Sequence, residues 1–396
     1  MDKEKLGLVL DGGGARGAYQ IGALRAMKEK GYQFDGVVGT SIGALNGAML
    51  CQDELSLAQS LWEKLDYKNV FAYEDELYES YEALLRLDVK SVDFLKLANS
   101  VVRIIKDGGL DNEPMKAMIH KHLDEGLIRK CGCDFGLVTV NVTDMKAEEL
   151  FIEDIPEGKL EDYILASAYV PVFKKRTFNG KNFLDGGFYD NSPVNMLLER
   201  GYKKIVVIKL GGLLGIQRSY EASDANIFFI EPRESLGDLL EFDVKRIRYN
   251  IQLGYFDALK RLDDLAGTKY YIKQLPKEQY FIEQLTHIQK EDILVLKSIW
   301  PSNQVDDYRY IFEDVMDEVV NMLKLGSKWT YVDVFTGLIE YFMKVVKKRR
   351  FMIHQWDRLA SSLPLDIKGY KKEQPEEIAL EVLLKIMLRK SNNHTT

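Results

Sequence analysis

The chain opens with a bounded apolar run, Leu6–Leu10, whose length suits a buried strand better than a helix. Glycines follow at once, and then AYQIGALRAMKEKG spaces Ile21, Leu24 and Met27 on one helical face. Gly31 is placed to end that helix, because glycine closes a helix in the left-handed conformation without strain. Residues 34–39 read as a second strand and the segment after Ser41 as a second helix. Further strands are expected at 135–142, 150–152, 182–184, 204–210 and 227–230. Helical stretches lie between them, including NSPVNMLLERG, where Ser192 suits an N-cap and Pro193 the first turn. Strands alternating with helices predict an α/β sheet covered by helices.

From about residue 236 the pattern changes. Long amphipathic stretches such as SLGDLLEFDVKRIRYNIQLGYFDALKRL carry few strand signals, which predicts a mainly helical extension. The expected organisation is an α/β domain over 1–235 and a helical part over 236–396. Nothing repeats at a fixed period, and only the final SNNHTT reads as disordered.

With 396 residues, 46% hydrophobic and 29% charged, the chain can bury a sizeable core. Its net charge of −7 argues against a nucleic-acid partner, which calls for a basic footprint. The apolar run near the N-terminus is shorter than the roughly 7–15 residues of a signal segment or the roughly 20 of a membrane span, so a cytoplasmic location is expected. Cys51, Cys131 and Cys133 are sparse, as suits a reducing compartment. A zinc site would want four ligands, so these cysteines read as incidental and neither metal nor cofactor is expected.

Three stretches carry candidate chemistry. In Gly39-Thr40-Ser41-Ile42-Gly43 a serine sits between glycines, at a strand-to-helix turn where a nucleophile crowds its own backbone and needs small neighbours. In Asp11-Gly12-Gly13-Gly14-Ala15-Arg16-Gly17 successive glycines can expose backbone N–H groups as an anion-binding turn. The same glycines spell G-x-G-x-x-G, with Asp35 following at a dinucleotide-binding distance. Against that second reading, Asp35 begins its strand rather than ending it. In Phe183-Leu184-Asp185-Gly186-Gly187 an aspartate ends a short apolar run, and by itself it reads more readily as a turn with a capping aspartate.

Together, in this order, GLVLDGGGARGAYQIGAL, VVGTSIGALNGA, ILASAYVPVF and FLDGGFYDNSPV resemble the patatin-like phospholipases. The resemblance spans about residues 5–210. It implies a three-layer α/β/α hydrolase in which Ser41 is the nucleophile and Asp185 its base, with no histidine. Gly12, Gly13, Gly14 and Arg16 then fall on the oxyanion loop, Gly39 and Gly43 flank the nucleophile, and Gly186 and Gly187 support the aspartate. The implied substrate is an acyl lipid or phospholipid. The remaining question is base strength: an ordinary aspartate has a pKa near 3.9, so burial must raise that of Asp185.

His120 and His122 fall in KAMIHKHLDEG, which reads as a solvated helix face, while His287, His354 and His394 lie beyond the motif-bearing half. Pro171 shapes a loop or stops a helix, and Asn191 orients a loop or caps the next helix. Tyr341–Phe351 mixes aromatics with basic residues, which suits either peripheral membrane contact or an ordinary basic helix face. The alternatives to a lipid acyl hydrolase are a non-catalytic lipid-binding relative and a dinucleotide-binding protein. Oligomeric state is left open.

Overall fold

The computed structural model describes residues 4–71, 109–171, 173–174, 177–178, 180–211, 215–221, 224–367 and 374–388. Val172, within ILASAYVPVF, and the tail that carries His394 lie outside the described residues. The chain divides into two compact units, Met1–Leu259 and Lys260–Thr396.

The first unit is built on one mixed sheet. Its strands are β1 (Leu6–Leu10), β2 (Gly36–Thr40), β3 (Asp134–Asn141), β4 (Lys146–Phe151), β5 (Phe183–Asp185), β6 (Lys204–Ile208) and β7 (Asn226–Ile230). They run in the order β4-β3-β2-β1-β6-β7, with β5 paired to β3. Five of them, β3, β2, β1, β6 and β7, are mutually parallel, and β4 and β5 run antiparallel to β3. The strands begin or end within two residues of the pattern's limits except β4, which starts four residues early because its first residues are polar and only partly covered.

Around the sheet lie α1 (Ala18–Glu29), α2 (Ile42–Cys51), α3 (Leu55–Trp62), α4 (Tyr67–Val70), α5 (Glu113–His122), α6 (Glu125–Lys130), α7 (Leu160–Ser167), α8 (Val194–Glu199) and α9 (Val244–Leu262). Both faces are covered, as a parallel sheet requires. On one, Val9, Val38, Val138 and Val207 pack with Val194, Met196 and Leu197 of α8. On the other, Phe135 and Leu137 meet Ala44 and Ala48 of α2 and Leu160 and Ile164 of α7. This is the three-layer α/β/α arrangement that the alternation predicts. The N-cap of α8 is Pro193 rather than Ser192, and it makes no side-chain cap bond.

The division between units falls later than residue 235 because α9 packs on α1. A Cβ at Gly22 would lie 1.8 Å from the Ile251 carbonyl oxygen, and one at Gly254 would lie 1.9 Å from that of Tyr19. Two glycines thus let two helix backbones touch, and residues 236–259 join the first core.

The second unit contains α10 (Glu278–Thr286), α11 (Lys290–Ile299), α12 (Met316–Leu323), α13 (Tyr331–Val345), α14 (Trp356–Asp366) and α15 (Pro375–Met387), with a parallel pair β8 (Tyr271–Lys273) and β9 (Ile353–Gln355). Its core gathers Phe281, Phe335, Leu338, Phe342, Leu380 and Leu384. In the basic segment that ends α13, Phe342 and Met343 are fully buried there, while Lys344 is exposed. Among the described residues no helix is long and apolar enough to cross a membrane.

Candidate active site

The site is set by register. Thr40, the last residue of β2, pairs with Val138 on β3, and β5 then takes over the same edge with Asp185 opposite Thr139. Ser41 and Asp185, 144 positions apart in sequence, are therefore delivered to adjoining seats along one strand.

Ser41 turns the chain from β2 into α2 with φ 55° and ψ −124°. A non-glycine residue there is strained by roughly 1–3 kcal/mol. The turn closes only because its neighbours are glycines: a Cβ at Gly39 would sit 2.4 Å from the Gly43 carbonyl carbon, and one at Gly43 would sit 2.2 Å from the Leu10 carbonyl oxygen. Two buried hydrogen bonds hold the strained residue. Ser41 N–H donates to Ser167 Oγ at 2.9 Å, and that hydroxyl donates to the Val138 carbonyl at 2.6 Å. Ser167, fully buried at the end of α7, is a site residue that the sequence reading missed. Its position directly before the AYVPVF segment was the only available signal.

Asp185 is 5% exposed and Ser41 8%. The Asp185 carboxylate accepts the Gly187 N–H at 2.8 Å, and the Ser41 side chain lies beside it. Burial pushes its pKa up to about 6, and the neighbouring Ser41 hydroxyl and Gly187 N–H oppose the shift. Among the described residues no histidine is a hydrogen-bond partner of either group. His120 is exposed against Glu161. His122 is half-buried and lines the site's cavity, so the solvated face expected for this pair holds only for His120. In the second unit the ring of exposed His287 meets the Glu283 carbonyl at 2.7 Å, and that of buried His354 meets the Arg349 carbonyl at 2.9 Å.

The glycine loop closes the site from the side of β1. Gly12 N–H donates to the Asn191 carbonyl at 3.1 Å and the Asn191 amide donates back to the Gly12 carbonyl at 3.2 Å, so Asn191 clasps the loop instead of capping a helix. Gly14 has φ +53°, and a Cβ on it would lie 2.1 Å from the Leu239 carbonyl oxygen. Among the described residues no protein acceptor meets the N–H of Gly13 or of Gly14. The Arg16 guanidinium is turned to the Gly237 and Gly211 carbonyls, each at 2.8 Å, where it braces the loop from behind. A buried relay supports the loop's first residue: Trp62 donates to Asn46 at 3.0 Å, Asn46 to Gln20 at 2.8 Å, and Gln20 to the Asp11 carbonyl at 2.8 Å.

Ser41, Asp185, Gly12, Gly13, Gly14 and Gly187 all line one cavity of about 440 Å³. Gly39, Gly43, Gly186 and Arg16 stand behind its wall. The rest of the lining is mostly apolar and includes Met49, Leu61, Met115, Met118 and Phe242, with Pro171 among the wall residues. A serine and a carboxylate at the polar end of an apolar cavity suit a ligand with one polar reacting group and a long apolar part.

A family model described as patatin-like phospholipase matches residues 8–198. This stretch is a patatin-like phospholipase domain. It is 25% identical over 209 residues to lysophospholipase NTE1 of Mycosarcoma maydis, covering 52% of this chain and 10% of that protein. It is 26% identical over 212 residues to the putative patatin-like phospholipase domain-containing protein M110.7 of Caenorhabditis elegans, covering 52% and 17%. The chain thus spans under a fifth of the length of these curated relatives. A crystal structure of VipD from Legionella pneumophila aligns at 15% identity and a TM-score of 0.41, over 98% of this chain and 92% of that one.

Within this patatin-like domain the residue that would decide a dinucleotide site has another task. Asp35 stands before β2, where its carboxylate accepts the Leu6 N–H at 2.8 Å and tethers the start of β1.

Proposed function

We propose that the chain hydrolyses carboxylic esters of acyl lipids, with Ser41 as nucleophile and Asp185 as general base. The observation that carries this reading is the juxtaposition of Ser41, on its strained turn, and the buried carboxylate of Asp185 at the polar end of one apolar cavity.

Asp185 takes the Ser41 proton as Oγ attacks the ester carbonyl. A carboxylate with a pKa near 6 is a better base than an ordinary aspartate and is still mostly ionised at neutral pH. The N–H groups of Gly13 and Gly14, which meet no acceptor among the described residues, are the donors for the tetrahedral oxyanion. One such donor is worth about 3–4 kcal/mol of barrier. Gly12 contributes by fixing the loop through Asn191, and Arg16 by bracing it from behind. Asp185 then passes its proton to the leaving alcohol, and water enters to release the acid from Ser41. The apolar cavity and the relatives named lysophospholipase favour a single-chain phospholipid as substrate.

The test is burst hydrolysis of a p-nitrophenyl acyl ester by wild type, Ser41→Ala, Asp185→Asn and His122→Ala, each checked for folding. Loss of turnover in the first two variants with retention in the third supports the dyad. A dead, folded His122→Ala would assign the base elsewhere, and absence of wild-type turnover on any ester would favour a lipid-binding relative.

A further inference from the structure

The three cysteines, expected from the sequence to be incidental, converge in the first unit. Cys51 is the last residue of α2, and Cys131 follows the last residue of α6. Gly132, at φ +74°, turns the chain so that Cys133 comes back toward Cys131 just ahead of β3. Cys133 N–H donates to Cys131 Sγ at 3.4 Å, and Cys51 faces both from across one recess. All three line a recess of about 470 Å³ that also includes Leu24, Lys28 and Asp53 and shares no lining residue with the ester site.

Their exposures differ in a way that matters for chemistry. Cys131 is exposed, whereas Cys51 and Cys133 are half-buried. A sulfur that accepts an N–H and has a second thiol nearby retains negative charge more readily than a lone thiol. Accordingly the Cys131 thiol is pulled down to about 6, chiefly by Cys51, while the Cys51 thiol is pushed up. The cluster thus pairs an accessible thiolate with a protonated neighbour on another element, the division of labour of an attacking and a resolving cysteine.

We propose that this cluster is an oxidation site, at which a hydroperoxide converts Cys131 and Cys51 into a disulfide joining the end of α2 to the turn before β3. Cys131 thiolate attacks one peroxide oxygen, the O–O bond breaks, and a sulfenic acid forms as the other oxygen leaves as alkoxide or hydroxide and takes up a proton. The Cys51 sulfur then attacks the sulfenic sulfur. The S–O bond breaks, water departs with the Cys51 proton, and the two sulfurs have supplied the two electrons that reduce the peroxide. Cys133 is a poorer resolving partner, because only one residue separates it from Cys131 and an S–S bond between them would close a small ring that strains the Cβ–S–S–Cβ torsion. Among the described residues no group of His, Cys, Asp or Glu is arranged to hold a metal ion.

The site is tested on the intact chain with hydrogen peroxide, independently of ester turnover. Wild type should lose two hydrogens in mass, with peptide mapping joining Cys51 to Cys131 within one chain and a thiol reductant reversing the change. Cys51→Ser should instead accumulate a dimedone-reactive sulfenic acid at Cys131, and Cys133→Ser should still form the disulfide. Iodoacetamide labelling of Cys131 should rise through a midpoint near pH 6. A midpoint in the ordinary thiol range with no sulfenic acid would overturn the proposal. So would a disulfide only between chains, or stoichiometric Zn²⁺ binding that protects all three thiols. Thermal unfolding of each serine variant separates loss of chemistry from loss of fold.

Discussion

Ser167 accepts the backbone N–H of Ser41 at 2.9 Å, and the two are 126 positions apart in sequence. The bond links the end of α7 to a residue whose backbone the chain would otherwise not hold at φ 55°. Ser167→Ala leaves that N–H buried without an acceptor, at a cost of about 1–3 kcal/mol. If part of this appears as misplacement of Oγ, turnover falls roughly tenfold to a hundredfold with little change in KM. Steady-state kinetics of a folded Ser167→Ala check it, and Ser167→Cys should recover part of the loss.

Asp185 is predicted to set opposite demands on activity and stability. Its raised pKa means that the folded state holds a proton more tightly than the unfolded one. The associated stability is fully present below about pH 4 and is lost as pH rises through about 6. Turnover needs the ionised form, so it should fall as pH drops through about 6. Asp185→Asn removes a buried charge at neutral pH and should stabilise the fold by about 1–3 kcal/mol while abolishing turnover. That gain should shrink as pH falls through about 6 and vanish only below about pH 4, where the wild-type carboxyl becomes protonated in the unfolded state as well. Denaturant unfolding of the two proteins across pH 4–7 gives the answer.

The apolar wall of the cavity should set acyl-chain length. Met118 and Met115 on α5 line it, and methionine yields space easily. Met118→Trp should lower kcat/KM for long acyl esters by at least tenfold while sparing short ones, as read from a chain-length series. An unchanged length profile would remove this cavity from the acyl-binding role.

Asn191 holds Gly12 from both sides, and the loop's donors depend on that clasp. Asn191→Ala keeps the backbone bond and loses the side-chain one. Turnover should fall about fivefold to tenfold, in keeping with a single hydrogen bond of about 1 kcal/mol. Asn191→Asp should do worse, because its carboxylate would repel the oxyanion. Comparing kcat for the two variants tests both statements.

Much of this site was readable in the chain because its constraints are local. Gly39 and Gly43 flank Ser41 within five residues, and the glycine loop lies between one strand and one helix, so sterics write themselves into sequence. Asp35 at the start of its strand already counted against a dinucleotide turn. Gly31 ended α1 where expected, at φ +81°. Ser167, Gln20 and Asn46 were not readable, since a buried hydroxyl or amide has no spacing rule and takes its meaning from a partner far along the chain. The later unit division was hidden for the same reason: Gly22 and Gly254 look like ordinary helix glycines until their two helices cross.

By itself, then, the sequence determined the α/β alternation, the strained serine turn and the glycine loop, because each follows from backbone sterics and periodicity over a few residues. Tertiary structure alone decided that Asp185 takes the seat beside Ser41, that its burial raises its pKa, that Arg16 braces rather than faces the cavity, and that three scattered cysteines meet. Those outcomes depend on strand register and on exclusion of water, and neither exists until distant segments pack together.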